Sequence, residues 1–492
     1  MIDIEPFSVV VFVAAAALIA AVMSSRLSAW IRVPAPALFL LAASAASTLF
    51  PVLGTVSNVV NERIVTVALV FVLFDGGMHI GWRRFRASAG TITVVGIIGT
   101  ALTATGIALA AHFFFGFSWQ ASLLVGTALS PTDPAVVFSV LGKREIAGRT
   151  GTILEGESGA NDPVGIALMV SLLAATGTGT GLVGLLAGAG EFALQMVVGS
   201  VVGLVGGWAL MKLTRKVALP SEALYSLRAI AFAALIYAAA TILHGSGFLA
   251  VFLAGIVIGD GRAPYKREIE RFSGGIASLA EIIVFVVLGL SVSLKDAFDP
   301  GILWTGLGIA ALIIFVIRPI FVGLLLVPTR LRWGERGFIV WAGLKGAVPI
   351  LLGMFIITAD VPHASRIYAL IFIVVLVSVV LQGGLIPLFA RLFGVQMRVV
   401  EPEPWSLGLR FNEEPTGLHR LTVSGGSVAD GSTIEALDLG EDGWISMVNR
   451  GGRMLQVRGS TRLQAGDVVL TLAEPDAHLG HLFDTTTDPP AP

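Results

Sequence analysis

Long apolar runs alternate with short polar loops over the first 391 residues of the chain. Runs of this kind cross about 30 Å of hydrocarbon as helices. Thirteen membrane spans are predicted, at residues 6–23, 35–52, 63–80, 91–114, 119–140, 157–176, 186–211, 222–243, 246–260, 275–293, 301–328, 337–358 and 365–391. The ninth is short, and its separation from the eighth depends on His244-Gly245. The pattern predicts an all-α polytopic membrane domain.

The basic residues of the loops support this number of spans. If consecutive spans alternate in direction, the loops on one side carry 20 basic residues, and those on the other carry only Arg63, Lys295 and Arg366. Loops rich in Lys and Arg stay on the cytoplasmic side of the membrane. The N-terminus is therefore predicted outside and the C-terminus inside, which an odd number of spans requires.

The composition agrees with a membrane protein. The 492 residues are 55% hydrophobic and 13% charged, with a mean hydropathy of +0.87, which is more apolar surface than a soluble chain buries. Cysteine is absent, so disulfides and thiolate metal sites are excluded, and the seven His residues lack a zinc spacing. The acidic N-terminus lacks the basic region of a secretory signal, so the first span is predicted to be retained.

The composition changes near residue 400. Residues 401–492 carry 14 acidic and 6 basic side chains, and short β-rich stretches there alternate with Gly and Asp turns. Three parts are predicted: a membrane domain at residues 1–398, a small α/β cytoplasmic domain at 399–484, and a disordered tail at 485–492.

A cluster of Glu157, Ser158, Asn161 and Asp162 runs directly into a membrane-like segment. An ionised carboxylate in hydrocarbon is costly, so such residues usually line an ion or proton pathway. Asp162 is the predicted essential carboxylate, because Asn161 beside it has no titratable charge. The alternative is an acidic loop ahead of a span, with Pro163 as the first helical residue.

Two further polar breaks lie in the fifth and twelfth spans, at Thr132-Asp133-Pro134 and at Lys345-Gly346-Ala347-Val348-Pro349. If the first six and last six spans are inverted repeats, these breaks correspond. Paired interrupted helices mark the central site of a transporter. Asp133 and Lys345 are then expected to compensate the dipoles of the half-helices that cross there. The alternative for Asp133 is a helix cap beside a proline kink.

Three more charged positions bear on the site. Arg318 is the buried cation expected to form a structural ion pair with Glu157. Asp75, in the inner half of the third span, is either a ligand or a residue that reaches cytoplasmic water. Glu281 in the tenth span is expected to have a structural hydrogen-bonding role.

These motifs, in this order and spacing, resemble the monovalent cation/proton antiporters of the first cation–proton antiporter family. The resemblance covers roughly residues 5–395 and rests on Phe74-Asp75-Gly76-Gly77, Thr132-Asp133-Pro134, Gly156-Glu157-Ser158 with Asn161-Asp162, Arg318-Pro319 and Gly343-Leu344-Lys345-Gly346-Ala347. The chain is most similar to the bacterial potassium/proton, or cell-volume-regulation, antiporters. Residues 425–483 resemble the C-terminal domain of potassium-transport regulators.

The resemblance implies a homodimer with thirteen spans in a cell membrane, with a mobile core bundle. The implied site has monovalent cation ligands at Asp162, Ser158, Thr132 and Asp75, with support from Asp133 and Asn161. Two positions depart from the family pattern, because members usually carry Arg where Lys345 stands and many carry Glu where Asp75 stands. The Asn161-Asp162 pair also differs from the two adjacent Asp residues of electrogenic relatives.

A single exchangeable carboxylate predicts electroneutral 1:1 exchange of a cation for a proton by alternating access. Potassium is favoured on the resemblance of the C-terminal domain alone. The alternatives are a Na⁺/H⁺ antiporter with the same site and a ligand-gated cation channel, although no Thr-Val-Gly-Tyr-Gly-like filter occurs. No enzyme activity, cofactor or nucleic-acid partner is expected. By family analogy, a nucleotide or cyclic dinucleotide is expected to bind across a dimer of the C-terminal domain.

Overall fold

The computed structural model describes residues 19, 34–50, 53, 56–141, 144–146, 148–177, 182–261, 263–399, 418–437, 439, 443–451, 453–473 and 479–484. Contacts divide the chain into two compact units, residues 1–404 and 405–492. The first unit is helical and the second contains a small antiparallel sheet.

The helices of the first unit are joined mostly by short loops. Within the described residues they are α1 (Ala35–Leu49), α2 (Asn58–Ile80), α3 (Trp82–Phe115), α4 (Trp119–Ala128), α5 (Ala135–Leu141), α6 (Gly148–Gly177), α7 (Leu182–Lys216), α8 (Glu222–Ile242), α9 (Gly247–Gly259), α10 (Lys266–Leu290), α11 (Leu294–Ala297), α12 (Pro300–Leu326), α13 (Trp333–Trp341), α14 (Ala347–Thr358) and α15 (Ala364–Leu392).

Eight of these helices are long and apolar enough to cross a membrane, and α1, α9 and α14 are shorter apolar helices. The prediction of a polytopic, mainly helical membrane protein is confirmed. Every predicted span from residues 35–52 onward coincides with a helix or a broken helix. The first predicted span, at residues 6–23, lies outside the described residues apart from Ile19, so the total of thirteen stays a prediction.

The two spans predicted to be interrupted are broken in the structure. The fifth span divides into α4 and α5, and the twelfth divides into α13 and α14. In contrast, α6 is one helix of 30 residues that begins at Gly148, with Pro163 in its interior. The acidic-loop interpretation of the cluster around Asp162 is therefore wrong, because this cluster lies within a helix.

Glycine allows helices α2 and α9 to approach backbone to backbone. A Cβ atom on Gly77 would lie 2.3 Å from the carbonyl oxygen of Phe252, and one on Gly255 would lie 2.3 Å from that of Phe74. No side chain fits at either position. Small residues of this kind let membrane helices gain packing contacts where lipid provides no hydrophobic driving force.

A short β-ladder extends the first unit beyond the last helix. Strand β1 (Arg144–Ile146) pairs antiparallel with β2 (Met397–Val399), and Ile146 lies opposite Met397. This pairing holds the segment after α15 against the loop after α5. Contacts divide the chain after residue 404, and the domain boundary at residue 398 stays a prediction.

The second unit is built on four antiparallel strands in the order β3, β6, β4, β5. These are β3 (Leu418–Thr422), β4 (Gly443–Arg450), β5 (Arg453–Leu455) and β6 (Val468–Ala473), with a 3-10 turn at Ile434–Leu437 and a final short helix, α16 (Gly480–Phe483). One face of the sheet packs on a small core that includes Val448, Val469 and Phe483. The predicted β-rich stretches correspond to β3, β4 and β6, while residues 485–492 lie outside the described residues.

Arg450 joins β4 to the loop before β6 through two hydrogen bonds to the buried carboxylate of Asp467, at 2.8 and 2.7 Å. The backbone N–H of Gln464 also donates to this carboxylate. Burial opposes ionisation of Asp467, but the bonds from Arg450 and Gln464 and the charge of Arg450 together hold its pKa below the ordinary value.

We expect this pair to make the second unit less stable in acid. A lowered folded-state pKa contributes stability that is complete above the unfolded value of about 3.9 and is lost as the pH falls through the folded value. The hydrogen-exchange protection factors of β4 and β6, corrected for the intrinsic exchange rate at each pH, should therefore fall below about pH 4. Arg450→Met should speed exchange at pH 7 and flatten this dependence, whereas Arg453→Met on exposed β5 should do neither.

Candidate functional site

The two broken spans cross each other at their breaks. Extended chain links α4 to α5 and α13 to α14. The backbone N–H of Asp133 in the first link donates to the carbonyl of Leu344 in the second, at 2.8 Å. Two pairs of half-helices therefore meet in the interior, where their unsatisfied backbone groups need partners.

Asp133 supplies negative charge to the two helix N-termini at this crossing. Its carboxylate accepts the N–H of Ala135 at the start of α5, at 2.8 Å, and that of Ala347 at the start of α14. A carboxylate at a helix N-terminus is favoured by the helix dipole. A Cβ atom on Gly346 would lie 2.0 Å from an oxygen of Asp133, so this close approach requires glycine.

Lys345 supplies positive charge to carbonyl groups on the other side of the crossing. Its side chain is 1% exposed, and its Nζ donates to the carbonyls of Ser130 and Pro131, both at 3.1 Å. These carbonyls follow the C-terminal end of α4, where a helix favours a cation. Asp133 and Lys345 thus occupy complementary positions, as the spacing of the two breaks predicts.

Helix α6 places its polar cluster against the first break. The hydroxyl of Ser158 donates to the carbonyl of Thr132 at 2.6 Å. The amide of Asn161 both donates to the Thr132 hydroxyl, at 2.7 Å, and accepts the Thr132 N–H, at 3.2 Å. Thr132 is therefore held on both its backbone and its side chain by one face of α6.

Asp162 follows Asn161 in the chain, but it takes no part in these hydrogen bonds. The residue is 8% exposed, and its Oδ1 has no hydrogen-bond partner among the described residues. The charges that act on it most strongly are those of Asp133 and Lys345. A buried carboxylate oxygen without a partner is costly, so this position is suited to a bound proton or cation.

Glu157, five residues before Asp162 on α6, contacts a cation from a distant helix. Arg318 Nη2 donates to Glu157 Oε1 at 2.8 Å, and both side chains are 3% exposed. Arg318 also donates to the carbonyls of Val340 and Ile339, at 2.9 and 3.1 Å. It therefore links α6 and α12 to the last turn of α13, where backbone carbonyls lack helical partners.

Asp75 has a different set of contacts from the other predicted ligands. It lies on α2, where its Oδ2 is 3.2 Å from Nδ1 of His79. Its Oδ1 is buried and faces Gly274 on α10, without a hydrogen bond among the described residues. The structure thus joins Ser158 and Asn161 to Thr132 by hydrogen bonds, with Asp162 next to Asn161 on α6. The contacts of Asp75, in contrast, join it to His79 and Gly274.

Comparison with known proteins adds to this geometry. Residues 14–392 match the family described as sodium/hydrogen exchanger, transmembrane. The chain belongs to this family. Its function is the exchange of a monovalent cation for protons, and it is a multi-pass membrane transporter.

Relatives within the exchanger family are named for different cations. The chain is 34% identical over 416 residues to the K⁺/H⁺ antiporter NhaP2 of Shewanella sp. (strain MR-4), covering 83% of this chain and 71% of the relative. It is 28% identical over 335 residues to the Na⁺/H⁺ antiporter ApNhaP of Aphanothece halophytica, covering 66% and 64%.

A solved exchanger shares the fold. The sodium proton antiporter MjNhaP1 from Methanocaldococcus jannaschii aligns with a TM-score of 0.68, at 20% identity, over 79% of this chain and 99% of that one. At this identity the likeness supports the fold and leaves the site to be argued from the residues of this chain.

Two residues of the exchanger core were missed by sequence reasoning. The hydroxyl of Ser378 accepts the backbone N–H of Lys345 at 3.0 Å and donates to Gln382 at 2.6 Å. Gln382 in turn donates to the carbonyl of Trp341, at the end of α13. The signal was a Ser and a Gln four residues apart in an otherwise apolar span, a spacing that places both on one helix face.

Proposed function

We propose that Asp162 is the group that carries either a proton or a monovalent cation across the membrane. The observation that carries this proposal is the buried, unpartnered Oδ1 of Asp162, on the helix whose Ser158 and Asn161 bind Thr132. Hard alkali cations prefer oxygen ligands. Protonation or cation binding each neutralises this carboxylate, so the two ligands compete for it.

The competition makes the exchange obligatory. If the core crosses between its inward and outward positions only when Asp162 is neutralised, an empty site stays on one side. Asn161 holds Thr132 but does not titrate, and Glu157 is engaged by Arg318. One exchangeable charge remains in the cluster, which supports electroneutral 1:1 antiport by alternating access.

The proposed cation ligands are Asp162, the Ser158 hydroxyl, the Thr132 carbonyl and Asp75. The Ser158 hydroxyl and the Thr132 carbonyl are 2.6 Å apart, so an incoming cation must replace the hydrogen bond between them. Asp75 joins the site in this proposal once its contact with His79 is released. Asp133 and Lys345 keep the crossing together while the site changes its ligand.

We assign K⁺ as the preferred cation, with Na⁺ as the alternative. The support is the identity to relatives named K⁺/H⁺ antiporters, which is higher and extends over more of the chain than the identity to the Na⁺/H⁺ relative. A ligand-gated cation channel is the alternative from another class. A channel would pass cations without moving protons.

Proton flux in proteoliposomes tests the cation assignment. We expect outward gradients of K⁺ and Rb⁺ to drive more proton uptake into the vesicles than equal gradients of Na⁺ or Li⁺. Stronger coupling to Na⁺ would establish the alternative cation, and cation flux without proton flux would support the channel. Asp162→Asn is the inactive control.

We also propose the number of spans, the orientation in the membrane, the oligomeric state and the regulation of the chain. Thirteen spans, an external N-terminus and a cytoplasmic domain at residues 399–484 are supported by the distribution of basic loops. A homodimer and a regulatory nucleotide or cyclic dinucleotide are supported by the family resemblance alone. In the same proton-flux assay, a chain ending at residue 400 should transport with altered activation, whereas complete loss of transport by folded protein would contradict a purely regulatory role.

A further inference from the structure

A groove of about 460 Å³ opens between the second half of α12 and helix α13. Its apolar lining includes Pro319, Ile320, Leu324, Val327 and Val340. Ile320, Leu324 and Val327 are between 48% and 64% exposed. Because α12 is one of the helices long and apolar enough to span a membrane, these exposed side chains border the hydrocarbon.

One end of the groove carries a cation. Arg336 lines it, with its guanidinium 4.9 Å from the centre of the Trp333 ring, which is 79% exposed. Arg336 Nη2 donates to the carbonyl of Thr329 at 2.6 Å, while its Nε is buried without an acceptor among the described residues. Trp beside Arg is typical of the level of the lipid headgroups.

The positive charge of Arg336 is left without a carboxylate partner among the described residues. Its sequence neighbour Glu335 accepts the N–H of Arg332 at 2.7 Å and the hydroxyl of Thr150 at 3.2 Å, and so points elsewhere. Basic pockets between membrane helices are suited to anionic lipid headgroups.

We infer that this groove binds an anionic phospholipid, with an acyl chain along α12 and the phosphate at Arg336. The apolar lining excludes a purely soluble anion as the best ligand, and the cation favours an anionic over a zwitterionic headgroup. The volume lies within the range of ordinary ligand pockets.

The bound lipid also supports the core of the transporter. Pro319 follows Arg318 directly, and Val340 provides a carbonyl that Arg318 binds. Both residues line the groove. A lipid that bridges them holds α12 against α13 and thereby holds Arg318 in place to contact Glu157. Lipid binding should therefore raise the thermal stability of the folded transporter.

The test uses the full chain in detergent, stripped of lipid, with phosphatidylglycerol or phosphatidylcholine added. Native mass spectrometry measures bound lipid, and the unfolding midpoint measures stabilisation. Phosphatidylglycerol should bind about fivefold more tightly than phosphatidylcholine, the effect expected of one arginine at a headgroup. Arg336→Gln should abolish that preference. Arg330→Gln, on the same loop but outside the groove lining, should retain it.

A second variant keeps the inference testable if Arg336→Gln fails to fold. The nearest atom to a Cβ on Gly323 lies 4.0 Å away, on Val340, so Gly323→Leu should fill the groove without displacing backbone. It should weaken binding of both lipids. Unchanged phosphatidylglycerol binding in Gly323→Leu would overturn the inference, as would an equal stabilisation of the wild-type chain by inorganic phosphate without lipid.

Discussion

Replacing Asp162 with Asn is expected to reduce cation-driven proton flux in proteoliposomes to the level of empty vesicles. Asparagine is nearly the same size as aspartate, but it neither takes up a proton near neutral pH nor attracts a cation with a full negative charge. The remaining oxygens of Ser158 and Thr132 are neutral ligands. The cation and the proton then no longer compete for one carboxylate, so the cation gradient no longer drives proton movement.

The matched control for this variant is Asp296→Asn. Asp296 lies in the exposed short helix α11 and undergoes the same chemical change. It should transport at the wild-type rate. Unfolding midpoints of both variants must stay close to that of the wild-type protein, so that loss of flux reports on the site. Retained cation-driven proton flux in folded Asp162→Asn would overturn the assignment of the exchanging group.

Breaking the buried pair of Glu157 and Arg318 is expected to cause the largest loss of stability. Arg318→Met leaves the Glu157 carboxylate without its cation, and also leaves the carbonyls of Ile339 and Val340 without their donor. Removal of one partner from a buried ion pair costs about 3–5 kcal/mol. The unfolding midpoint in detergent should fall sharply, so that little of the variant is folded at physiological temperature.

A double variant separates the ion pair from a general effect on packing. Glu157→Gln with Arg318→Met removes both charges, so no charge remains buried and uncompensated. It should be more stable than Arg318→Met alone. Arg330→Gln, on a loop of the same part of the chain, should leave the midpoint unchanged. A midpoint of Arg318→Met equal to that of the wild-type protein would show that the pair contributes no net stability.

The spans were predictable from the sequence because hydropathy is a local property. The positions of helices such as α12 and α15 follow from apolar length alone. The start of α6 was missed because its residues 148–156 include Arg149 and Glu155, and local hydropathy assigns such charged residues to a loop. The buried carboxylate of Glu157, where the predicted span begins, is tolerable because of Arg318, which lies 161 positions away along the chain.

The sequence indicates which residues are candidates for the site, but not how they contact one another. The breaks at Asp133 and Lys345 were visible as Pro and Gly within apolar runs, and their crossing was expected from repeat symmetry. The partners of Lys345 were not visible, because the backbone carbonyls of Ser130 and Pro131 carry no sequence signal. The contact of Asp75 with His79 was overlooked, although these residues are one helical turn apart.

The most direct test of a single exchanging carboxylate is whether transport moves net charge. Proteoliposomes that contain the full chain should show K⁺-driven proton flux by a pH-sensitive dye. The same vesicles, adsorbed to a solid-supported membrane, should show no transport current under the same gradient. A current that depends on the protein and reverses with the membrane potential would contradict 1:1 exchange at Asp162.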